Sequence, residues 1–153
     1  MLNKIWITLA LAVLVGAPTA AAQQAGIESV ENGCPLVDEF GGSPAILVSE
    51  ELPAAGQPQT LSMFTASPNS LGVMLIGYEP AQFARAGCPL IFLPVMLTPI
   101  ATDGQGFVSL PGRWPAAIDA SMHVYAQGYI MDGASPTGFF TTNTLDFSFF
   151  VVE

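Results

Sequence analysis

Apolar positions along this chain recur mainly at every second residue within short runs, and they do not follow the three- and four-residue spacing of an amphipathic helix. Glycine and proline interrupt the chain so often that few windows could hold three helical turns. The pattern therefore predicts short β-strands separated by turns, with little helix.

Seven runs rich in β-branched, aromatic and aliphatic residues are bounded by Pro, Gly, Asn, Asp and Ser. They cover residues 45–49, 59–65, 71–78, 89–100, 106–110, 121–131 and 144–152. The third run is apolar on both faces apart from two glycines, which predicts a central strand. Pro94 and Pro99 cannot donate hydrogen bonds to a neighbour, so the fourth run is expected at a sheet edge. Together the runs predict an all-β, two-sheet immunoglobulin-like sandwich, with a barrel as the competing architecture.

The sixth and seventh runs show the clearest two-residue alternation. In the sixth, Val124, Ala126 and Ile130 share one face, and His123, Tyr125, Gln127, Tyr129 and Met131 share the other. The seventh places Leu145, Phe147, Phe149 and Val151 on a single face. Because the seventh run combines high β-propensity with one charge and no proline, we expect it to be an interior strand, hydrogen-bonded on both sides.

The first 22 residues have the pattern of a secretory signal peptide. Lys4 precedes a short apolar run, and the segment ends in Ala20-Ala21-Ala22, which places small residues where a signal peptidase reads. The apolar run is too short for a membrane-spanning helix, which needs about 20 apolar residues. The sequence therefore predicts residues 1–22 as signal peptide, residues 23–43 as an N-terminal extension and disulfide anchor, and residues 44–153 as the β-sandwich domain, secreted or periplasmic.

The net charge of the chain narrows the classes of partner that it is expected to bind. The chain has twelve acidic and three basic residues and a formal net charge of −9. Such a field repels phosphate backbones and anionic membrane surfaces, so nucleic-acid binding and membrane insertion after signal removal are not expected. An extracellular protein or glycan partner remains open.

Two cysteines, Cys34 and Cys88, are present in a chain predicted to be exported. An even count in an oxidising compartment predicts one disulfide between them. A redox pair is the alternative, but such pairs usually have close spacing such as Cys-x-x-Cys.

An ordered series of short landmarks resembles a group of secreted bacterial β-sandwich modules. The landmarks are residues 34–35, 44–47, 66–70, 75–77, 86–90, 102–106, 125–127 and 142–145. The chain departs from the group at Ala86, where proline is usual, and at Thr142, where serine is usual. The group has no assigned activity, so the resemblance implies export and the sandwich fold and transfers no catalytic residue.

No grouping in the sequence predicts a catalytic, cofactor or metal site. His123 is the sole histidine, lies in mid-strand, and no Gly-x-Ser-x-Gly motif is present. One histidine and two cysteines expected to be oxidised cannot fill a tetrahedral zinc site. Asp103-Gly104 and Asp132-Gly133 are typical turn dipeptides. The pairs Asp38-Glu39 and Glu50-Glu51 leave open a small hydrolase that acts through two carboxylates, if they meet in a cleft.

The aromatic residues provide the remaining candidates. Tyr125, Gln127 and Tyr129 form a candidate ligand face of the kind on which sugars stack, although amphipathic aromatic side chains commonly bury their rings. Trp114 is expected to cap the core from a loop.

The sequence therefore predicts a non-enzymatic structural or interaction module of the bacterial cell envelope or extracellular space. A carbohydrate-binding module is one alternative. A strand-donating fimbrial-type subunit is another, although residues 23–32 contain only Ile27 and Val30 as sizeable apolar residues for donation.

Overall fold

The computed structural model describes residues 26–30, 45–85, 88–119, 121–133 and 138–149. This part of the chain is all-β, with nine strands and no helix, and it contains no helical segment that is long and apolar enough to span a membrane. The strands are β1 (Gly26–Val30), β2 (Ile46–Ser49), β3 (Pro58–Phe64), β4 (Leu71–Arg85), β5 (Cys88–Ala101), β6 (Phe107–Arg113), β7 (His123–Met131), β8 (Phe139–Thr141) and β9 (Thr144–Ser148).

The larger sheet has six antiparallel strands in the order β1-β9-β7-β4-β5, with β8 also paired to β7. β8 and β9 pair with the same side of β7, and one extra residue at Thr142-Asn143 separates the two stretches of ladder. The smaller sheet is antiparallel, with the order β2-β3-β6. Both sheets therefore end in outer strands, and β5 and β6 are two of them.

One core cluster joins the two sheets because each sheet turns an apolar face toward the other. Its buried members are Ala45, Leu47, Leu61, Met63, Met74, Ile100, Val124, Ala126, Ile130, Phe140, Leu145, Phe147 and Phe149. One close approach involves Gly128 in β7, where an added Cβ would lie 2.7 Å from Sδ of Met63 in β3. A side chain at this position would therefore require Met63 to shift.

All seven predicted strands are present. β5 is the outer strand that its prolines predicted, and β9 is hydrogen-bonded by β1 on one side and β7 on the other, as expected for the last run. Leu145, Phe147 and Phe149 point into the core as predicted, whereas Val151 lies outside the described residues.

Two strands were not predicted. β1 falls inside the segment assigned to an N-terminal extension, and its pairing with β9 makes residues 26–30 part of the larger sheet. β8 has three residues. The predicted signal peptide and Cys34 lie outside the described residues.

Candidate functional site

The three residues of the predicted ligand face lie on one face of β7, but other side chains bury them. Tyr125, Gln127 and Tyr129 point to the side of the larger sheet that faces away from the smaller sheet, and they are 8%, 0% and 8% exposed. The ring of Phe92 stacks on that of Tyr125, with centroids 5.7 Å apart and 12° between the planes. Phe139 packs on Tyr129 at 5.5 Å. These three side chains therefore do not form an open strip on which a sugar could stack.

The cover comes from the β4–β5 hairpin. Its register shifts around Gly77, where β4 lies so close to β5 that an added Cβ would be 2.2 Å from the carbonyl oxygen of Leu93. Beyond this irregularity, Leu90 and Phe92 join Leu75 and the two tyrosines of β7 in a second buried cluster. The hairpin thus supplies apolar cover for its own sheet.

A histidine–aspartate pair lies at the margin of the covered face. His123 Nδ1 and Asp146 Oδ1 are 2.8 Å apart, with the imidazole half-exposed and stacked on Tyr125. Burial, and after it the charge of Asp146, raises the pKa of Tyr125. Ser148 is opposite His123 in the β7–β9 register, but its hydroxyl donates to the carbonyl of Gly26. The described residues thus place a His–Asp pair on the surface without a hydroxyl hydrogen-bonded to the imidazole.

The described carboxylates mainly organise turns and strand ends. Asp103 Oδ1 accepts from the N–H of Gln105 at 2.8 Å and of Phe107 at 2.9 Å. These backbone donors, Phe107 first, lower the pKa of Asp103. Asp132 accepts from the Ser67 hydroxyl at 2.7 Å. Both aspartates therefore fix loops, as their turn dipeptides predicted.

Glu50 and Glu51 follow β2 and bind β3: Glu50 accepts from the Ser62 hydroxyl, and Glu51 accepts from the N–H of Thr60, each at 2.8 Å. The pair Asp38-Glu39 lies outside the described residues. Within the described part of the chain, no three His, Cys, Asp or Glu side chains come together in a way that could hold a metal ion.

Cys88 is fully buried at the start of β5, and the described residues include no free cysteine. Its predicted partner Cys34 lies outside them, so the pairing of Cys34 with Cys88 stays a prediction.

A concave site lies between the two sheets, on the side where β5 and β6 are outer strands. It is a pocket of about 410 Å³, hereafter the inter-sheet pocket. The larger sheet contributes Met74, Ile76, Tyr78, Met96, Thr98 and Val124. The smaller sheet contributes Gln59, Leu61, Leu110, Pro111, Gly112 and Arg113, and the β6–β7 connection contributes Trp114, Pro115, Ala117, Ile118 and Met122.

The floor of the pocket is apolar, and its deeper polar groups already have partners. Trp114 Nε1 donates to Gln59 Oε1 at 2.6 Å, while the amide nitrogen of Gln59 donates to Ser49 Oγ and to the carbonyl of Glu51. The Trp114 ring packs edge-on against Phe147 and Phe149, at 5.1 and 4.8 Å. Trp114 thus caps the core, as predicted, and also forms one wall of the pocket.

The rim differs from the rest of the chain in charge. None of the described lining residues is acidic, and Arg113 is the one cation among them. The guanidinium is exposed and donates through Nη1 to the carbonyl of Gly56 at 2.9 Å. No described carboxylate lies within ion-pair distance of it.

An exposed apolar strand borders the pocket. Leu93, Val95, Met96 and Leu97 of β5 are each close to half exposed or more, with Leu97 reaching 61%. Met96 lines the pocket, whereas Leu97 pairs with Leu75 and shares its face, which points away from the smaller sheet. Exposed apolar side chains at a sheet edge are typical of interaction sites. The sequence predicted the edge position of β5 but not the pocket. The sequence feature that relates to the pocket is the absence of acidic residues from 107–118.

Comparison with protein-family models, with the curated proteins and with the solved structures finds no match to this chain.

Proposed function

We propose that this chain is an exported, non-enzymatic interaction module of the bacterial cell envelope or extracellular space, and that it binds its partner at the inter-sheet pocket. One observation carries the proposal: an apolar pocket opens between two outer strands and includes Met96, one of the exposed apolar residues of β5. Apolar pockets with a few polar groups at the rim are the usual sites of ligand binding.

Export and the immunoglobulin-like arrangement of the two sheets belong to this proposal. The signal-peptide pattern of residues 1–22 and the resemblance to secreted sandwich modules support them. A Cys34–Cys88 disulfide would close a loop of about 55 residues and stabilise the fold by roughly 4 kcal/mol in the chain-entropy model. Mass spectrometry of the protein from the exported fraction should find no free thiol and a mature N-terminus at Gln23; two free thiols would refute the bond.

The pocket can be tested with a neutral, environment-sensitive dye such as Nile red. Saturable fluorescence enhancement is expected with the folded protein. Ala117→Trp should abolish it, because Ala117 is an exposed rim residue and an indole there fills the entrance. Ala55→Trp is the matched control, since Ala55 is an exposed loop alanine outside the lining. Equal dye binding by both variants would remove the pocket from the proposal.

The strand-donating fimbrial-type subunit is the second candidate, because among the described strands β5 and β6 each have one unpaired edge beside the pocket, and such an edge could accept a donated strand. A strand from a second copy could hydrogen-bond along either edge and fill the space between the sheets. Light scattering on the purified protein distinguishes the two candidates. Oligomers that form with rising protein concentration, and that Ala117→Trp disrupts, would favour strand donation over ligand binding.

The carbohydrate-binding alternative loses its support because Tyr125, Gln127 and Tyr129 are buried. A glycan array with the exported protein should therefore give no saturable signal through this face.

A further inference from the structure

We propose that the inter-sheet pocket takes a single-chain amphiphile with an anionic head, specifically a long-chain carboxylate, with its tail between the sheets and its head on Arg113. This inference rests on the proposed function and names the ligand class for the same site.

The floor and walls fit an alkyl tail. Leu61, Met74 and Val124 are buried at the base, and Ile76, Leu110 and Ile118 extend the apolar lining outward. The flexible methionines adapt to a chain of no fixed shape. A volume of about 410 Å³ is near the lower end of ligand pockets, which span roughly 300 to 1,000 Å³. It therefore suits one alkyl chain better than two.

The deeper polar groups favour a ligand without polar atoms at the buried end. Gln59 Oε1 accepts from Trp114 Nε1, and the amide protons of Gln59 are directed to Ser49 and Glu51. A hydroxyl or amide placed at the floor would lose its water without gaining these partners, which carries a free-energy penalty. A sugar or peptide is disfavoured for that reason.

The charge at the rim of the pocket favours a ligand with an anionic head group. Across the chain, acidic residues outnumber basic ones by twelve to three, yet the described lining carries one arginine and no carboxylate. The neighbouring acids in sequence, Glu79 and Asp119, are exposed and outside the lining. The rim is thus a place where an anionic head meets a local positive charge in an otherwise acidic protein.

Arg113 has the chemistry that a carboxylate needs. Only its Nη1 bond to the Gly56 carbonyl is used among the described residues, and a guanidinium has five N–H donors arranged to bind a carboxylate through two parallel hydrogen bonds. Because Arg113 is exposed, the head remains hydrated while the tail is buried. Binding at this rim does not require a charge to be buried.

The experiment measures displacement of Nile red by three ligands with the same tail: laurate, dodecanol and dodecyltrimethylammonium. Laurate should bind about three- to tenfold more tightly than dodecanol, since a charge-assisted hydrogen bond at a wet site contributes on this scale. The cation should bind most weakly, against the direction that the net charge of −9 favours. From octanoate upward, affinity should rise about three- to fourfold per methylene until the chain outgrows the pocket.

Three substitutions at two positions test where the head group binds. Arg113→Gln should remove the preference for laurate over dodecanol, measured as the ratio of the two affinities, while Arg113→Lys should keep part of it. Because Arg113 also donates to the Gly56 carbonyl, Ala117→Glu provides a test that retains this bond: a carboxylate on the rim should weaken laurate binding more than dodecanol binding. Melting temperatures of all variants report on folding.

The outcomes separate the two proposals. Nile red binding with no preference for laurate, or with a preference that survives both Arg113→Gln and Ala117→Glu, would overturn the carboxylate and leave the pocket as a neutral binding site. Failure of Nile red to bind would overturn both.

Discussion

The side-chain amide of Asn143 forms both backbone hydrogen bonds of Leu47, a residue 96 positions earlier in the chain. Asn143 Oδ1 accepts from the Leu47 N–H at 2.7 Å, and Nδ2 donates to the Leu47 carbonyl at 3.0 Å and to the Ser29 hydroxyl at 2.9 Å. One amide thus connects β2 of the smaller sheet with β1 and the β8–β9 connection of the larger sheet.

Asn143→Leu should destabilise the fold by about 2 to 4 kcal/mol, because it leaves a buried N–H and a buried carbonyl of Leu47 unpaired. Asn143→Asp should have an intermediate effect, since it keeps the acceptor and loses the donors. Urea denaturation measures the loss. The exposed Gln105→Leu is the control, and an equal effect from both leucine variants would contradict this role for the amide.

Phe147→Ala should cost about 3 to 5 kcal/mol, as expected for a fully buried phenylalanine. Phe147 also contacts the ring of Trp114, so the tryptophan emission should shift in the folded variant. Because Trp6 lies in the predicted signal peptide, Trp114 is expected to be the only tryptophan of the mature protein. Phe64→Ala is the control: Phe64 is half-exposed, so this variant should lose much less stability. Equal losses of stability in the two variants would contradict the core position of Phe147 in β9.

Gly77→Ala should destabilise the β4–β5 hairpin by about 1 to 3 kcal/mol, the range for overpacking, because the new methyl meets the Leu93 carbonyl and the Phe92 ring. The stacking of Phe92 on Tyr125 should loosen with it, which near-ultraviolet circular dichroism can detect. Gly133→Ala has open space around the added methyl and should be nearly neutral by comparison.

The free energy of unfolding should fall at alkaline pH because the folded protein holds the proton of Tyr125 more tightly than the unfolded chain does. Its pKa is raised in the folded protein, first by burial and then by Asp146, so the unfolded chain loses this proton at lower pH, near 10. Above about pH 10 the unfolded state therefore binds fewer protons and the free energy of unfolding decreases. Thermal melts across this range should show a smaller alkaline loss for Tyr125→Phe. The exposed Tyr78→Phe is the control; if it had the same effect, the assignment to Tyr125 would be wrong.

Alternation and turn chemistry in the sequence were enough to predict most strands. The interior position of β9 followed from its high β-propensity, with one charge and no proline, and the outer position of β5 followed from Pro94 and Pro99. β1 was missed because Ile27 and Val30 are its only sizeable apolar residues, and they acquire a strand partner only through the distant β9. β4 continues beyond Tyr78, where the third predicted run ended, because Glu79 and Pro80 pair with β5 in the ladder.

The site was less predictable because it depends on which surfaces other elements cover. The alternation of β7 correctly grouped Tyr125, Gln127 and Tyr129, but nothing local to β7 indicates that Phe92 lies over Tyr125. The inter-sheet pocket likewise depends on the two open edges of β5 and β6, which are fixed by strand order.

The pairing of β1 with β9 has a consequence for when folding can be completed. Gly26 is matched with Ser148, 122 positions later, so this side of the larger sheet closes only after the chain is available as far as β9. Contacts of such long sequence separation form slowly, since the entropy of closing the loop opposes them. A chain emerging from the ribosome therefore keeps β1 without its partner until β9 has been synthesised. This delay is consistent with the proposed export of the chain in an unfolded form.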